Sequence, residues 1–451
     1  MTRAARPARW VVLLLAVCAL AAACGGGRDG DDGAAAPSTT SPPADAAGGA
    51  TTETEAAGLI DAARCENTTQ GLTDTTIKLG VSHPQSGPAA AFGEIADGFG
   101  AYFAYVNAER GGVQGRQIEL VVKDDGYEAG RTVTNVNELI EKDQVFALFQ
   151  ILGTPNNAAI WDQVEQRCIP NLLASTGAPS LVDPEAHPFT IIANPAYATE
   201  SASLVSYLAE NNPGAEIALL YQNDDFGTSY LGPLEKALQG TDITLGATET
   251  YEPTDPNVDS QITTLAASGA DVLFIGATGL KCPQAMDAAA GKGFAVVYLS
   301  GTCSSNVLMA LAKPESSNGV LSTLYIKDPA DPQYADDPAM TEYKAKMAQY
   351  APRADADDGL VAYGWTQGAM LVEILSRAEP LDRVQVVEAA RRLQIDEPPG
   401  LFQPGIPWAL DGTTDGFPIE TFYLGRYDSA AKVYKVEGEP VDQEANTGAV
   451  L

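Results

Sequence analysis

The feature that most constrains this chain is a regular alternation of short β-rich segments with longer amphipathic ones. Residues Ile77 to Val81 precede a helical pattern from about Phe92 to Glu109, and Ile118 to Val122 precede another from about Arg131 to Lys142. In the first helical pattern apolar residues recur at helical spacing, and Gly111 and Gly112 follow it as glycines follow helices. Strand, helix, strand order predicts parallel strands joined by right-handed crossovers.

The alternation continues through most of the chain. Further strands are predicted at Val145 to Leu152, Ile169 to Ala174, Glu216 to Tyr221, Asp271 to Gly276 and Phe294 to Leu299. The predicted fold is α/β, with doubly wound parallel sheets, in which ligands bind outside the carboxyl ends of strands. That rule selects six loops, at residues 82–93, 153–157, 175–178, 223–229, 277–281 and 300–305.

The N-terminus has the pattern of a secretory signal. Three arginines precede an apolar run from Trp10 to Ala23, which is too short to span a bilayer. Small residues then precede Cys24, and the sequence resembles the lipobox of bacterial lipoproteins, in which the cysteine is acylated. Residues 1–23 are predicted to be a lipoprotein signal peptide and Cys24 the lipid anchor. Cys18 is an alternative anchor but follows a bulky valine, which suits a cleavage site less well. The alternative to a lipoprotein is a secreted protein without a lipid anchor.

Residues 24–60 are predicted to be a flexible tether, because Gly, Ala, Asp, Thr, Ser and Pro dominate and large apolar side chains are scarce. Removing about 60 residues leaves about 390, more than one core usually holds, so two lobes are expected. The formal net charge is -32, from 59 acidic and 27 basic residues. Such a charge repels phosphate backbones, so no nucleic-acid partner is expected.

Four cysteines follow the signal, at positions 65, 168, 282 and 303. An even count in an exported chain, with no CxxC spacing, favours two disulfides over a metal site. Cys282 and Cys303 are close in sequence and each follows an apolar strand candidate, which favours their pairing. Cys65 and Cys168 are then the remaining pair, although the spacing leaves other pairings open.

Several motifs carry a family resemblance. The stretch IKLGVSHPQSGPAAAFG from Ile77 to Gly93, followed by AYFAYVNAERGGVQGRQIELVVKDD from Ala101 to Asp125, resembles the opening of the branched-chain amino acid binding proteins of ABC importers. GTPNNAAIWDQVEQRCIPNLLASTGAPSL, EIALLYQNDDFGTSY and ASGADVLFIGATG fall where that family has its loops. The resemblance covers most of residues 73–375 and is weaker towards the C-terminus.

The resemblance implies the type I periplasmic-binding-protein architecture: two α/β lobes, joined by three crossing strands, with the ligand in the cleft. It places lobe 1 at residues 66–195 and 332–400 and lobe 2 at residues 196–325 and 401–440. The crossings are expected near Ile191-Ile192 and Ser322-Thr323. An extracytoplasmic, monomeric protein is implied, held at the cell membrane by its lipid anchor and serving the permease of an ABC transporter without a cofactor.

The resemblance also implies ligand-binding positions. The family's first-loop aromatic falls on Phe92, its small polar loop on Gly153 and Thr154, and its carboxylate-binding loop on Ser175, Thr176 and Gly177. In the second lobe the candidates are Phe226, Thr278, Gly279 and Thr302. Phe92 and Phe226 have an alternative reading as core residues at helix starts, and Ser175 and Thr176 as helix caps.

One departure from the family pattern bears on the ligand. Amino-acid binders of this family hold the ligand ammonium with a carboxylate after a second-lobe strand, but the segment Leu299 to Cys303 contains no acid. A buried ammonium without a partner is costly. Asp224 or Asp225 of a neighbouring loop is a candidate for the carboxylate that binds the ammonium, and the alternative is that both are solvated turn residues. A simple branched-chain amino acid is therefore disfavoured, and a polar, aromatic or amino-acid-like ligand is expected.

Three rival interpretations remain. The chain has two histidines, His83 in a predicted cleft loop and His187 in a polar turn, and no GxSxG, Walker, HExxH or CxxC motif, so an enzyme is not expected. A ligand sensor with the same fold is an alternative to an importer component. Calcium binding by Asp328, Asp331, Asp336 and Asp337 is a third interpretation, but no EF-hand spacing is present and a solvated acidic loop is the simpler one.

Overall fold

The computed structural model describes residues 58–443. The predicted signal peptide, the anchor Cys24, its alternative Cys18 and nearly all of the predicted tether lie outside the described residues. Within residues 58–443, no helix has the length and apolar character that crossing a membrane requires.

The described chain contains fourteen strands and twelve α-helices. The strands are β1 Thr76–His83, β2 Gln117–Asp124, β3 Ala147–Phe149, β4 Asn171–Ala174, β5 Thr190–Ile192, β6 Glu216–Gln222, β7 Thr244–Tyr251, β8 Val272–Gly276, β9 Val296–Leu299, β10 Leu321–Leu324, β11 Gln394–Ile395, β12 Trp408–Ala409, β13 Thr421–Asp428 and β14 Val433–Asp442. The helices are α1 Ile95–Glu109, α2 Ala129–Glu141, α3 Thr154–Gln166, α4 Tyr197–Asn211, α5 Asp225–Ala237, α6 Asp259–Ala267, α7 Lys281–Ala289, α8 Asn306–Leu311, α9 Pro314–Ser317, α10 Pro338–Tyr350, α11 Gly359–Arg377 and α12 Arg383–Arg391.

The first lobe is built on a five-stranded sheet of order β2-β1-β3-β4-β5. All its pairings are parallel, as strand–helix–strand order requires. Ile77, Leu79 and Val81 of β1 are fully buried beneath the helices. Helix α1 packs closely against α11, since a Cβ on Gly98 would lie 2.0 Å from the Val361 carbonyl oxygen. The glycine therefore sets how closely the two helices approach.

The second lobe is built on a seven-stranded sheet of order β14-β13-β10-β9-β8-β6-β7. Strands β6 to β10 pair in parallel, whereas β13 and β14 form an antiparallel hairpin on the β10 edge. The hairpin brings the C-terminal part of the described chain to the β10 edge of this sheet. Both lobes therefore have the predicted doubly wound α/β class, with an antiparallel addition in the second.

The chain passes between the sheets at three places. Strand β5 of the first sheet leads directly into α4, which packs against α5 of the second lobe. Strand β10 leads back through residues 325–327, and these pair with residues 401–403 on the third passage: the Lys327 amide donates to the Leu401 carbonyl at 2.8 Å, and the Gln403 amide donates to the Tyr325 carbonyl at 2.9 Å. The predicted crossings near Ile191-Ile192 and Ser322-Thr323 fall in β5 and β10. The predicted lobe boundaries remain a prediction.

Two disulfides join the expected cysteines. Cys65 bonds to Cys168 and Cys282 bonds to Cys303, each with a Cα–Cα distance of 5.6 Å. The first ties the segment before β1 to the residues after α3. The second ties the start of α7 to the turn after β9, where a 3₁₀ helix spans Gly301–Cys303. This second disulfide therefore anchors a loop at the carboxyl end of the second sheet.

Candidate functional site

A cavity with a volume of ≈ 160 Å³ lies between the carboxyl ends of the two sheets. All six loops selected from the sequence supply residues to its wall, as the rule for doubly wound sheets requires. An empty protein cavity of about 150 Å³ is large enough to hold benzene. The space between the lobes therefore suits a small organic molecule.

The first-lobe wall presents hydrogen-bonding groups at the start of α3. Gly153 has a φ of 103°, a conformation that favours glycine, and turns the chain so that α3 begins at Thr154. The hydroxyls of Thr154 and Thr176 are hydrogen bonded at 2.9 Å. Ser175 lies beside them, 3.2 Å from the hydroxyl of Tyr363. Pro155 has no amide hydrogen, so Thr154 is the residue of this first turn whose amide and hydroxyl suit an anionic group in the cavity.

The second-lobe wall contains a buried carboxylate, Glu200 of α4. Its side chain is 3% exposed and lines the cavity, and its Oε2 accepts a hydrogen bond from the Gly301 amide at 3.0 Å. Thr323 lies 3.5 Å from the other oxygen. Burial raises the pKa of this carboxyl from 4.5 to about 7, against the opposing effect of its hydrogen bonds. A cationic ligand group beside it would favour the ionised form.

Glycine at position 301 makes room for this carboxylate. A Cβ on Gly301 would lie 2.6 Å from Oε1 of Glu200, closer than real contacts allow. The turn after β9 thus contributes space and an amide, while the acid comes from a helix about a hundred residues earlier. The segment Leu299 to Cys303 contains no acid, as the sequence indicates, but Glu200 of α4 brings a carboxylate to this part of the wall.

Aromatic rings form much of the remaining wall. Phe92 and Phe226 are 8% and 2% exposed, and each touches the cavity as well as the core. The ring of Phe226 meets that of Tyr197 edge to face at 5.2 Å, which fixes both. The ring of Tyr127 packs against Gly153 in the first lobe. Its hydroxyl lies 3.4 Å from the side-chain amide nitrogen of Gln222 in the second lobe. The lobes therefore meet across the cavity.

The predicted ligand-binding residues separate into two groups. Those in the cavity wall are Phe92, Gly153, Thr154, Ser175, Phe226, Thr278 and Thr302. Thr176, Gly177 and Gly279 lie outside that wall. The Thr176 hydroxyl is hydrogen bonded to the Thr154 hydroxyl and accepts a hydrogen bond from the Ala178 amide. Gly177 faces the Pro195 carbonyl, and Gly279 packs against the Pro88 carbonyl of the other lobe.

Other candidates also lie elsewhere. Asp224 is the N-cap of α5, accepting from the Phe226 and Gly227 amides at 3.0 and 3.3 Å, so it does not replace the missing acid. Asp225 begins the same helix and is not in the cavity wall. His83 ends β1 and is 1% exposed against Phe99, away from the wall. Among residues 58–443, no group of three or more His, Cys, Asp or Glu side chains is arranged to hold a metal ion.

Sequence reasoning missed several wall residues besides Glu200. They are Tyr127, Asn194, Tyr197, Tyr325, Asp328, Tyr363 and Tyr434. Most belong to helices or crossing segments and not to the loops after strands. The signal for Glu200 was indirect: a glycine stands at 301 within the segment where the family places an acid, and this glycine leaves space for a side chain from another element.

Two α/β lobes, three chain crossings and a cavity between facing strand ends define a two-lobed solute-binding protein. The chain belongs to the periplasmic binding protein family: a sequence model described as "Periplasmic binding protein" matches residues 76–432. The resemblance to the substrate-binding proteins of ABC importers is thereby confirmed at the level of the family, and the role of the protein is solute binding.

Individual relatives agree with this assignment. The leucine-, isoleucine-, valine-, threonine- and alanine-binding protein of Pseudomonas aeruginosa is 22% identical over 335 residues, covering 72% of this chain and 84% of the relative. A fatty acid ABC transporter substrate-binding protein from Thermomonospora curvata superposes with a TM-score of 0.71 at 22% identity, covering 84% of this chain and 95% of that one. A branched-chain amino acid ABC transporter protein from Thermus thermophilus with bound valine gives 0.72 at 17% identity, covering 84% and 99%. At these identities the solved structures show a shared fold.

Proposed function

We propose that this protein captures a small amino-acid-like molecule between its lobes and presents it to the permease of an ABC importer. The observation that carries the proposal is the pairing of opposite polar ends within one cavity. The start of α3, with Thr154 and Ser175, suits a carboxylate, and Glu200 suits an ammonium. The aromatic rings between them suit an apolar body.

The presence of Glu200 changes the expected ligand class. The sequence disfavoured a simple amino acid because the segment after β9 has no acid. Glu200 supplies a buried carboxylate beside the Gly301 amide and the Thr323 hydroxyl, and this carboxylate can be the counter-charge of a ligand ammonium. The objection to an amino acid is thereby removed. Amino acids now rank ahead of aromatic acids and fatty acids, which carry a carboxylate for the start of α3 but no cation for Glu200.

Closure of the lobes provides the signal to the transporter. Each lobe supplies about half of the wall, so a ligand binds the closed form better than the open form and shifts the population towards it. Contacts such as Tyr127 with Gln222 then form across the cleft. A permease that recognises surfaces on both lobes distinguishes loaded from empty protein without any chemical change in the ligand.

The proposed setting of the protein is the outer face of the cell membrane. Acylation at Cys24 would hold it there, and residues 24–60 would let it reach the permease as a monomer. Mass spectrometry of protein extracted from membranes tests the anchor. Acyl chains on Cys24 are expected, and a mature N-terminus elsewhere without lipid would exclude it.

A ligand screen tests the proposed function. The purified full-length protein would be mixed with amino acids, aromatic acids, fatty acids and polyols in a thermal-shift assay, and the hits would be titrated by calorimetry. Amino acids are expected to bind saturably, at micromolar affinity or about −8 kcal/mol, and to be recovered unchanged. Binding confined to acids without an amine would contradict the proposal, and conversion of a bound molecule would indicate an enzyme.

A further inference from the structure

The cavity has a further polar region beside the crossing segment, at Asn306, Asp328 and Tyr434, which we call the distal pocket. Asn306 begins α8, Asp328 follows the residues that pair with 401–403, and Tyr434 lies on β14. Asp331, Lys344 and Asp357 are charged groups that act on Asp328. The distal pocket brings together side chains from α8, the crossing segment and β14.

Tyr434 lines the cavity with a hydroxyl that has no partner among residues 58–443. The side chain is 4% exposed, and its ring meets that of Tyr427 edge to face at 5.1 Å, which holds it in place. A buried hydroxyl without a hydrogen bond is unfavourable, and proteins rarely keep one without a reason. A ligand group in the cavity would supply the missing partner.

Asp328 provides a carboxylate at the same place. Its Oδ1 accepts from the Ala330 amide at 2.9 Å and from the Asn306 side chain at 3.3 Å. No hydrogen bond within residues 58–443 uses Oδ2, which can accept from a ligand. The neighbouring cation, Lys327, also faces the cavity, but its ammonium is engaged by Asp337 at 2.7 Å. The distal pocket thus presents acceptors and negative charge, while Lys327 is paired with Asp337 and Lys344 with Asp357.

Burial raises the pKa of the Asp328 carboxyl from 3.8 to about 6, with Asp331 and Asp357 adding to the rise. Lys344, which is paired with Asp357, opposes this rise, so the burial of the carboxyl decides the direction of the pKa shift. A positively charged ligand group placed against Oδ2 would reverse the rise. Burial likewise raises the pKa of the Glu200 carboxyl in the other part of the cavity.

We propose that the ligand carries a second cationic group, which binds Asp328 and Tyr434, so that the substrate class is basic amino acids. This inference rests on the proposed function, because it assigns the α-carboxylate to the start of α3 and the α-ammonium to Glu200. The side-chain ammonium or guanidinium then donates to Oδ2 of Asp328 and to the Tyr434 hydroxyl oxygen. The two carboxylates of the protein thereby bind the two cationic groups of the ligand, and the start of α3 binds the ligand carboxylate.

Matched ligand pairs test the inference. The full-length protein would be titrated by calorimetry with lysine against norleucine and with arginine against citrulline, since each pair differs mainly in the side-chain cation. The charged member is expected to bind at least about tenfold more tightly, as expected for a hydrogen-bonded charge pair. Asp328→Asn should reduce that preference to threefold or less, and Tyr434→Phe should reduce it partly. Asp336→Asn, an exposed acid nearby, is the matched control and should change nothing.

The outcomes separate this inference from the proposed function. If norleucine binds and depends on Glu200, but lysine binds no better, the distal pocket does not recognise a cation and the inference fails alone. If Asp328→Asn keeps the full preference while melting like the wild type, the inference also fails. If none of these amino acids binds, both proposals fall together.

Discussion

The most consequential residue of the site is Glu200, whose carboxyl has a pKa raised to about 7 by burial. Its ionisation is therefore coupled to both folding and ligand binding near neutral pH. Two predictions follow from this residue and from the glycine that faces it.

The first prediction concerns pH. The folded pKa lies above the unfolded value of 4.5, so the stability that this carboxyl provides is complete below about pH 4.5 and is lost as pH rises through about 7. The shift corresponds to about 3 kcal/mol. The free energy of unfolding of the ligand-free protein should therefore fall between pH 5 and pH 8 more steeply in the wild type than in Glu200→Gln. Parallel curves for the two proteins, measured by urea denaturation, would show that Glu200 does not titrate in this range.

The second prediction concerns Gly301. In Gly301→Ala, the new methyl group would lie 2.6 Å from Oε1 of Glu200 and 3.2 Å from the Thr323 hydroxyl, so the carboxylate must move. Amino-acid affinity should fall at least about tenfold, as expected when a hydrogen bond to a charged group is lost. Gly232→Ala is the control, because a Cβ there meets nothing within 4 Å. Equal affinities of the two variants in calorimetry would contradict the placement of Glu200.

At the scale of elements, the disulfides differ in their relation to the site. Cys303 ends the Gly301–Cys303 turn that holds Glu200, and Cys282 fixes that turn to α7. Replacing both by alanine should lower the free energy of unfolding by about 3 kcal/mol through the lost loop constraint and should also weaken ligand binding. The pair Cys65 and Cys168 packs near Phe189 in a separate cluster, so its removal should lower stability and leave affinity unchanged. Urea denaturation and calorimetry measure the two effects.

Most of the element order was predictable from the sequence. Strands β6, β8 and β9 contain continuous apolar runs, and β1 carries the buried residues Ile77, Leu79 and Val81. The sequence therefore predicts the bounds of these four strands within about two residues. Their ends were less predictable. Helix α1 was expected from Phe92 but begins at Ile95, because Ala90–Glu94 forms a 3₁₀ helix. The sequence predicts a strand from Val145 to Leu152, but only Ala147–Phe149 pairs as a strand. The apolar run is longer than the strand because the residues on either side of it are buried as well.

The parts that the sequence did not reveal depend on contacts between distant segments. The C-terminal hairpin β13–β14 joins the second sheet antiparallel, which the preceding parallel pattern does not predict. Glu200 and Gly301 are adjacent only because α4 passes the turn after β9. The rule for strand ends located the loops of the site, whereas these helix and hairpin residues required the tertiary structure.

At the scale of the whole molecule, the two lobes are halves of one cavity wall. A single ligand can contact both the start of α3 in the first lobe and Glu200 in the second only when the lobes are closed. The ligand amine is therefore the group that links the two halves. Its contribution can be isolated by changing the ligand and the protein together.

The most direct test is a cycle of calorimetric titrations that pairs removal of the ligand amine with Glu200→Gln. The best amino acid from the screen and its des-amino analogue would each be titrated into the wild type, Glu200→Gln and the control Glu210→Gln, which changes an exposed acid on the same helix. The account predicts that the wild type and the control prefer the amino acid at least about tenfold and that Glu200→Gln loses most of this preference. An unchanged preference in Glu200→Gln would contradict the assignment of the ammonium to Glu200.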